Sequence, residues 1–463
     1  MKKLTALILC AVLAFSSCTK TGTPKAESDS AQNTDTTASV PLAQSVASSA
    51  EKGNNLHLLT LCVKNGYYGL DCNWQKGYQN IIFTDYAAKQ QVVTCNSPSC
   101  EHSTDACTAY ISANGGAMNG NELLADDDML LYFQNGTEAS PPELIKTDAT
   151  GAQRQTVYRL ANGESFERNP YFYSGDNNVQ YFAAADDIGG IYFCVNKMAN
   201  GTKTLMYAAP SGGNPEVLCE DISQSISIAQ AYGNNIVLIE RQLNAENISA
   251  STETEYKISL LNVQTKEQHL AFSMKENGFL HSRIFHIKGN VLYYILSSGG
   301  NVNADAGNVY SVSLDSGEEK LISANGSKCP LSKDFPLYSG EVIEGIYDNK
   351  LIYRGMAVRD ENGIVKTKTN RYAIDLETGD ETELTLCNVE AAEKAPIKII
   401  AETGEDLLVV SDIRKYDFVF EQANGTPQTT TGEKEIYALI SKQDFLSNTP
   451  NYREISMLIN TSA

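Results

Sequence analysis

The chain has 463 residues and a formal net charge of −20, from 36 Lys and Arg against 56 Asp and Glu. So acidic a surface argues against nucleic acid as a partner and against direct adhesion to anionic lipid, and it favours solubility. Attraction to cationic ligands is permitted by the same charge.

Lys2 and Lys3 precede an apolar run from Leu4 to Phe15, the layout of an export signal. That run is too short to span a bilayer. Phe15-Ser16-Ser17-Cys18 resembles the lipobox of bacterial lipoproteins. The resemblance implies that residues 1–17 are a signal peptide and that Cys18 is acylated, becoming the mature N-terminus and the lipid anchor in the membrane. It implies export to the cell envelope, on the outer face of the plasma membrane in a Gram-positive cell. Loss of Lys2 and Lys3 takes the charge from −20 to −22.

From Thr19 to about Asn55 the chain is rich in Ser, Thr, Ala, Gln and Asn, with almost no large apolar residue to offset its ordering entropy. Residues 18–55 therefore read as a lipidated, disordered tether, and 56–463 as one folded domain. All-β architectures can remain single domains at that length.

An alternating segment that ends in a polar turn recurs seven times in the domain, with turn anchors at 85, 148, 210, 262, 315, 375 and 442. The steps are 63, 62, 52, 53, 60 and 67 residues. Asp or Asn followed by Ser/Thr-Gly suits a tight turn, because the Asx side chain caps the backbone two residues on and Gly accepts positive φ. Upstream of most anchors lies a more continuous apolar strand, such as Leu130-Leu131-Tyr132-Phe133 or Leu407-Leu408-Val409-Val410. Such runs mark strands covered on both faces. The reading is an all-β fold, a β-propeller with seven blades; six or eight would also fit, since one degenerate copy changes the count. The closing strand is expected from Leu56 to Cys62 or from the tail Ile455-Ser456-Met457-Leu458.

Cys95, Cys100, His102 and Cys107 fall within thirteen residues as C-x4-C-x-H-x4-C, between the first repeat and the second. Three thiolates and an imidazole are a ligand set for structural zinc. In an oxidising compartment the same thiols could instead pair with one another or with Cys62 or Cys72 as disulfides, or remain free. The stretch from Val93 to Tyr110 resembles a signature of uncharacterised, secreted, propeller-like lipoproteins of Firmicutes. Ile82-Phe83-Thr84-Asp85 is distantly similar to the blades of YWTD-type propellers. The two resemblances imply a fold and a location, and no activity.

No G-x-S-x-G elbow, H-E-x-x-H, phosphate loop or dinucleotide fingerprint is present, so no catalytic or organic-cofactor residue is assigned. His281 and His286 would face opposite sides of a strand. Asp126-Asp127-Asp128 and Asp186-Asp187 read as solvated turns, and Cys194, Cys219, Cys329 and Cys387 as single buried cysteines. With one tryptophan, Trp74, the chain does not suit a sialidase-like propeller. The leading expectation is a module that binds or senses an extracellular ligand or an envelope protein. The alternatives are a glycan hydrolase or lyase with an active site on the channel face, and a structural partner of an envelope complex.

Overall fold

The computed structural model describes residues 52–73, 77–112, 122–136, 140–174, 178–243, 253–277, 285–295, 308–324, 342–355, 358–359, 365–366, 370–388, 396–421 and 426–458. The signal, Cys18, most of the tether, Trp74, His281 and Cys329 lie outside them.

Seven four-stranded antiparallel meanders follow one another along the described residues; the first carries an extra strand, and the third and fourth are joined in one ten-stranded sheet. The first comprises Cys62–Val63, Gly66–Asn73, Tyr78–Asp85 and Gln90–Val93. The second comprises Glu122–Asp126, Met129–Gln134, Glu143–Thr147 and Gln155–Arg159. The third comprises Ala183–Ala185, Ile191–Lys197, Thr202–Ala208 and Glu216–Ser223. The fourth, Ile226 to Asn277, and the fifth, Phe285 to Ser323, repeat the pattern. So do the sixth, Val342 to Leu384, and the seventh, Lys398 to Glu454.

The apolar residues that make each strand also fix how the sheets stack. Every main buried cluster lies between consecutive sheets. Leu131, Leu144 and Phe133 of the second meet Phe193 and Ile191 of the third, and Ile352 and Ala373 of the sixth meet Leu407 and Val409 of the seventh. The last cluster joins the ends of the series, with Leu408, Leu439 and Ile455 against Tyr86 near the first sheet. Sheets packed face to face in order, with the last against the first, form a closed ring, which is a β-propeller.

Each of the seven turn anchors falls at the end of the third strand of its sheet or just after it. Six lead directly into the fourth strand; at the seventh, Lys442 starts a short helix, Lys442–Leu446, capped by Ser441. The turns work as the residue types require. Asp148 Oδ1 accepts from the Thr150 and Ala152 amides, and Asp375 Oδ1 from Glu377 and Thr378. Gly151 and Gly379 then take φ of +75° and +78°.

Of the two candidate closing segments, the tail bridges the ring: Ser456 pairs with Gln90 in the outer strand of the first sheet, and the Gln91 amide donates to the Ser456 carbonyl at 2.8 Å. The N-terminal strand Leu56–Leu58 has a different place. It pairs on one side with Ala184 and Ala185 and on the other with Tyr232 and Gly233, joining the first strands of the third and fourth sheets.

Described contacts reach upstream of residue 56. Lys52 pairs with Glu216 at 2.9 Å, and the Gly53 and Asn54 amides donate to Asp186 and Asp187 at 2.9 Å each. Asp186 is therefore not a solvated turn residue: it is 2 % exposed and also accepts from Tyr192 and from the Gly190 amide. Asp126 meets His57, and Asp127 accepts from the Lys64 amide. A local reading of polarity misses these roles, because the partner segments lie far away along the chain.

Candidate metal centre

The cysteine loop grows from the outer edge of the first sheet. Gln90–Val93 pairs with one end of Tyr78–Asp85 and Tyr110–Ser112 with the other, so the fourth strand is split. The split is centred on Ile81, whose carbonyl accepts from the Thr94 amide and whose amide donates to the Ala109 carbonyl. Residues between these points leave the sheet and return to it within one strand position.

Inside the excursion, short turns draw the ligating side chains together. The Cys100 amide donates to the Ser97 carbonyl at 3.2 Å and the Cys107 amide to the Thr104 carbonyl at 3.0 Å. His102 takes φ of 57°, a sparsely populated conformation for a residue with a Cβ. The ligand atoms of Cys95, Cys100, His102 and Cys107 all lie within 4.8 Å of one another. His102 Nδ1 is 3.4 Å from Cys107 Sγ. A nitrogen and a sulfur on a tetrahedral zinc would be about 3.6 Å apart, so the donor set fits in both kind and spacing.

The electrostatics suit a cation. The Ser97 amide lies 3.5 Å from Cys95 Sγ and the His102 amide 3.4 Å from Cys100 Sγ, both aimed at sulfur. Burial raises the Cys95 thiol, but the Ser97 amide and the side chains of Cys107, Cys100 and Thr108 outweigh it and hold the group down at about 7. Burial is the main reason Cys107 is pushed up to about 12; the Ala109 amide opposes the shift, and Cys95 and Cys100 add to it.

Described cysteines form no disulfide: Cys62, Cys72, Cys95, Cys100, Cys107, Cys194, Cys219 and Cys387 are all thiols. Cys62 and Cys72 make separate contacts, Cys62 Sγ with the Glu402 carbonyl and Cys72 Sγ with Gln79 Nε2. Cys194 is buried as expected, whereas Cys219 and Cys387 are half-buried. His286 is held down at about 4 by burial and then by Lys288, a neutral imidazole within the fifth sheet.

One ion pair is invisible to motif reasoning. Glu167 and Lys203 are 2 % and 4 % exposed and face each other at 2.5 Å. Nothing in Phe166-Glu167-Arg168 or Thr202-Lys203-Thr204 marks it, because the pair forms only when the third sheet is assembled.

No protein-family model matches this chain, and no curated protein does. Among solved structures it is similar to the β-propeller domain of the Trilobed protease from Pyrococcus furiosus, at 11 % identity over 82 % of this chain and 96 % of that one, with a TM-score of 0.40. It is similar to TolB from Acinetobacter baumannii, at 13 % identity over 84 % and 78 %, TM-score 0.32. It is also similar to an oligogalacturonate lyase solved in complex with manganese, at 12 % identity over 65 % and 73 %, TM-score 0.32. At such identities the likenesses carry no argument about activity, and the architecture rests on the ring of sheets.

Proposed function

We propose that this chain is an exported lipoprotein, anchored through Cys18, whose propeller binds a ligand or partner at the cell envelope and whose Cys95, Cys100, His102 and Cys107 hold a structural zinc. The observation that supports a binding role is a cavity of about 530 Å³ between the second and third sheets, within the usual size range of ligand sites. The zinc would close the loop on itself where it packs against the second sheet, fixing an edge that has given up part of its ladder to the excursion. Four protein ligands leave no open position, so this metal is structural and supplies no Lewis-acid chemistry.

Metal analysis of the purified chain by mass spectrometry tests the zinc, with about one zinc per chain expected and none in Cys100→Ser. Acyl-chain labelling of the full chain in a bacterial host, compared with Cys18→Ser, tests the anchor. Loss of label and release from membranes in the variant are expected; equal labelling of both chains would overturn it.

A further inference from the structure

Each cysteine of the loop takes a backbone amide from two positions further on. The Ser97 amide faces Cys95 Sγ, the His102 amide faces Cys100 Sγ, and the Ala109 amide is hydrogen-bonded to Cys107. The three sulfurs differ in how much they depend on those amides. Cys95 and Cys100 are half-buried, whereas Cys107 is 2 % exposed and packs in the cluster between the first and second sheets. Solvent reaches the first two; a buried thiolate must find its donors in the protein.

The amide on Cys107 is supported from outside the loop. The Thr108 carbonyl and the Ala109 N–H are opposite ends of one planar peptide, so fixing the carbonyl fixes the direction of the N–H. That carbonyl accepts from Arg154 Nη2 at 2.6 Å, and the same nitrogen donates to the Tyr110 carbonyl at 2.6 Å. The Ala109 carbonyl between them accepts from the Ile81 amide at 2.9 Å. Three consecutive carbonyls are thus held, two by the second sheet and one by the first.

Arg154 is oriented by its own sheet. It stands between the Gly151 turn and the strand Gln155–Arg159, where its Nε donates to the Gly151 carbonyl at 2.9 Å. Its guanidinium lies over the Tyr132 ring, 5.8 Å from the centroid. A cation at the carbonyl end of a peptide also polarises it, which strengthens the hydrogen bond given by the N–H at the other end.

We infer that Arg154 is a positioning residue for the metal centre: through the Thr108–Ala109 peptide it holds an amide on the Cys107 sulfur, so the site is shared between the first and second sheets. The inference rests on the zinc proposed above and adds a residue that makes no contact with the metal.

The Arg154 side chain is exposed, so Arg154→Met opens no cavity. Arg159, which pairs with Glu143 at 2.6 Å within the second sheet, supplies the control Arg159→Met. Zinc affinity is read by competition with a chromophoric chelator, and the state of the sulfurs by the sulfur-to-cobalt charge-transfer band of the full chain loaded with cobalt(II). Arg154→Met should weaken zinc binding about 10–100-fold, the usual loss when a group behind a metal ligand is removed. Its cobalt band should move to longer wavelength, because a sulfur with a weaker hydrogen bond gives up electron density more easily. Arg159→Met should match the parent in both. Parental zinc affinity in Arg154→Met would overturn the inference, and so would weaker affinity with an unmoved band, the mark of general loosening. A parent chain that binds neither metal would overturn the zinc reading as well, so the two failures are distinguishable.

Discussion

The carbonyl oxygen of Thr108 lies 2.2 Å from where a Cβ on Gly151 would stand. Gly151 closes the turn of the second sheet and Thr108 belongs to the cysteine loop of the first, so the turn and the loop are packed backbone to backbone. Arg154 secures the contact, with one guanidinium nitrogen donating to both the Thr108 and the Tyr110 carbonyls at 2.6 Å. The arrangement recurs around the ring: a Cβ on Gly379 would stand 2.6 Å from the Ile322 carbonyl, and one on Gly317 would stand 3.0 Å from that of Ala271. Glycine is needed in these turns for positive φ and again for the approach of the preceding sheet.

Gly151→Ala should therefore cost more than its conformation alone. Gly163 also has positive φ, at 82°, with open space where its Cβ would be. Gly163→Ala should cost roughly 1–2 kcal/mol, the ordinary penalty for a left-handed residue. Gly151→Ala should exceed it and loosen zinc as well. Denaturant melts of the two variants give the difference, and equal midpoints would show that the contact gives way freely.

Chelation should unfold the chain at lower temperature. A zinc held at a free concentration one hundred times its Kd contributes about 2.7 kcal/mol, and this is withdrawn when a chelator removes it. Cys107→Ser should show the same loss without chelator, whereas Cys219→Ser should melt close to the parent chain and keep its metal. Thermal melts with and without chelator, read beside metal content, check both.

His57 and Asp126 form a latch between the N-terminal strand and the second sheet, at 3.1 Å. The hydrogen bond to Asp126 holds His57 above its ordinary 6.5, with burial opposing, and the bond to His57 holds Asp126 below its ordinary 3.8. The His57 contribution is fully present below 6.5 and is lost as pH rises through its raised value. That of Asp126 is present above 3.8 and is lost as pH falls through its lowered value. The side chains are 47 % and 33 % exposed, so solvent screening limits the latch to roughly 0.2–1 kcal/mol. Between pH 5.5 and 9 the parent should lose more stability than His57→Gln, and parallel melting curves would show that the latch contributes nothing.

Lys203→Met leaves the Glu167 carboxylate buried without its cation and should cost about 3–5 kcal/mol. The pairwise replacement Lys203→Met with Glu167→Leu should recover most of that loss. Urea midpoints of the single and double variants measure the coupling; an additive double variant would mean the charges do not act as a pair.

Ring closure can be probed at Ile455, which is 1 % exposed among Tyr86, Leu408 and Leu439. Ile455→Ala should cost about 2–5 kcal/mol. Proteolysis should then release the first and seventh sheets earlier than the others, and uniform cleavage around the ring would argue against closure at this seam.

Much of this architecture is legible in the chain because it depends on neighbours in sequence. Strand alternation, Asx-Gly turns and apolar second strands are local, and a meander needs nothing else to form, so the anchors near 148 and 375 mark true turns before the fourth strand. The cysteine and histidine ligands are also close in sequence, and Cys95 to Cys107 could be grouped by spacing alone. What tertiary structure decided is every relationship that closes over a long loop. Asp186 looks like a surface acid until Gly53, 133 positions away, donates to it. Glu167 and Lys203 look like strand-edge charges until the third sheet buries them together.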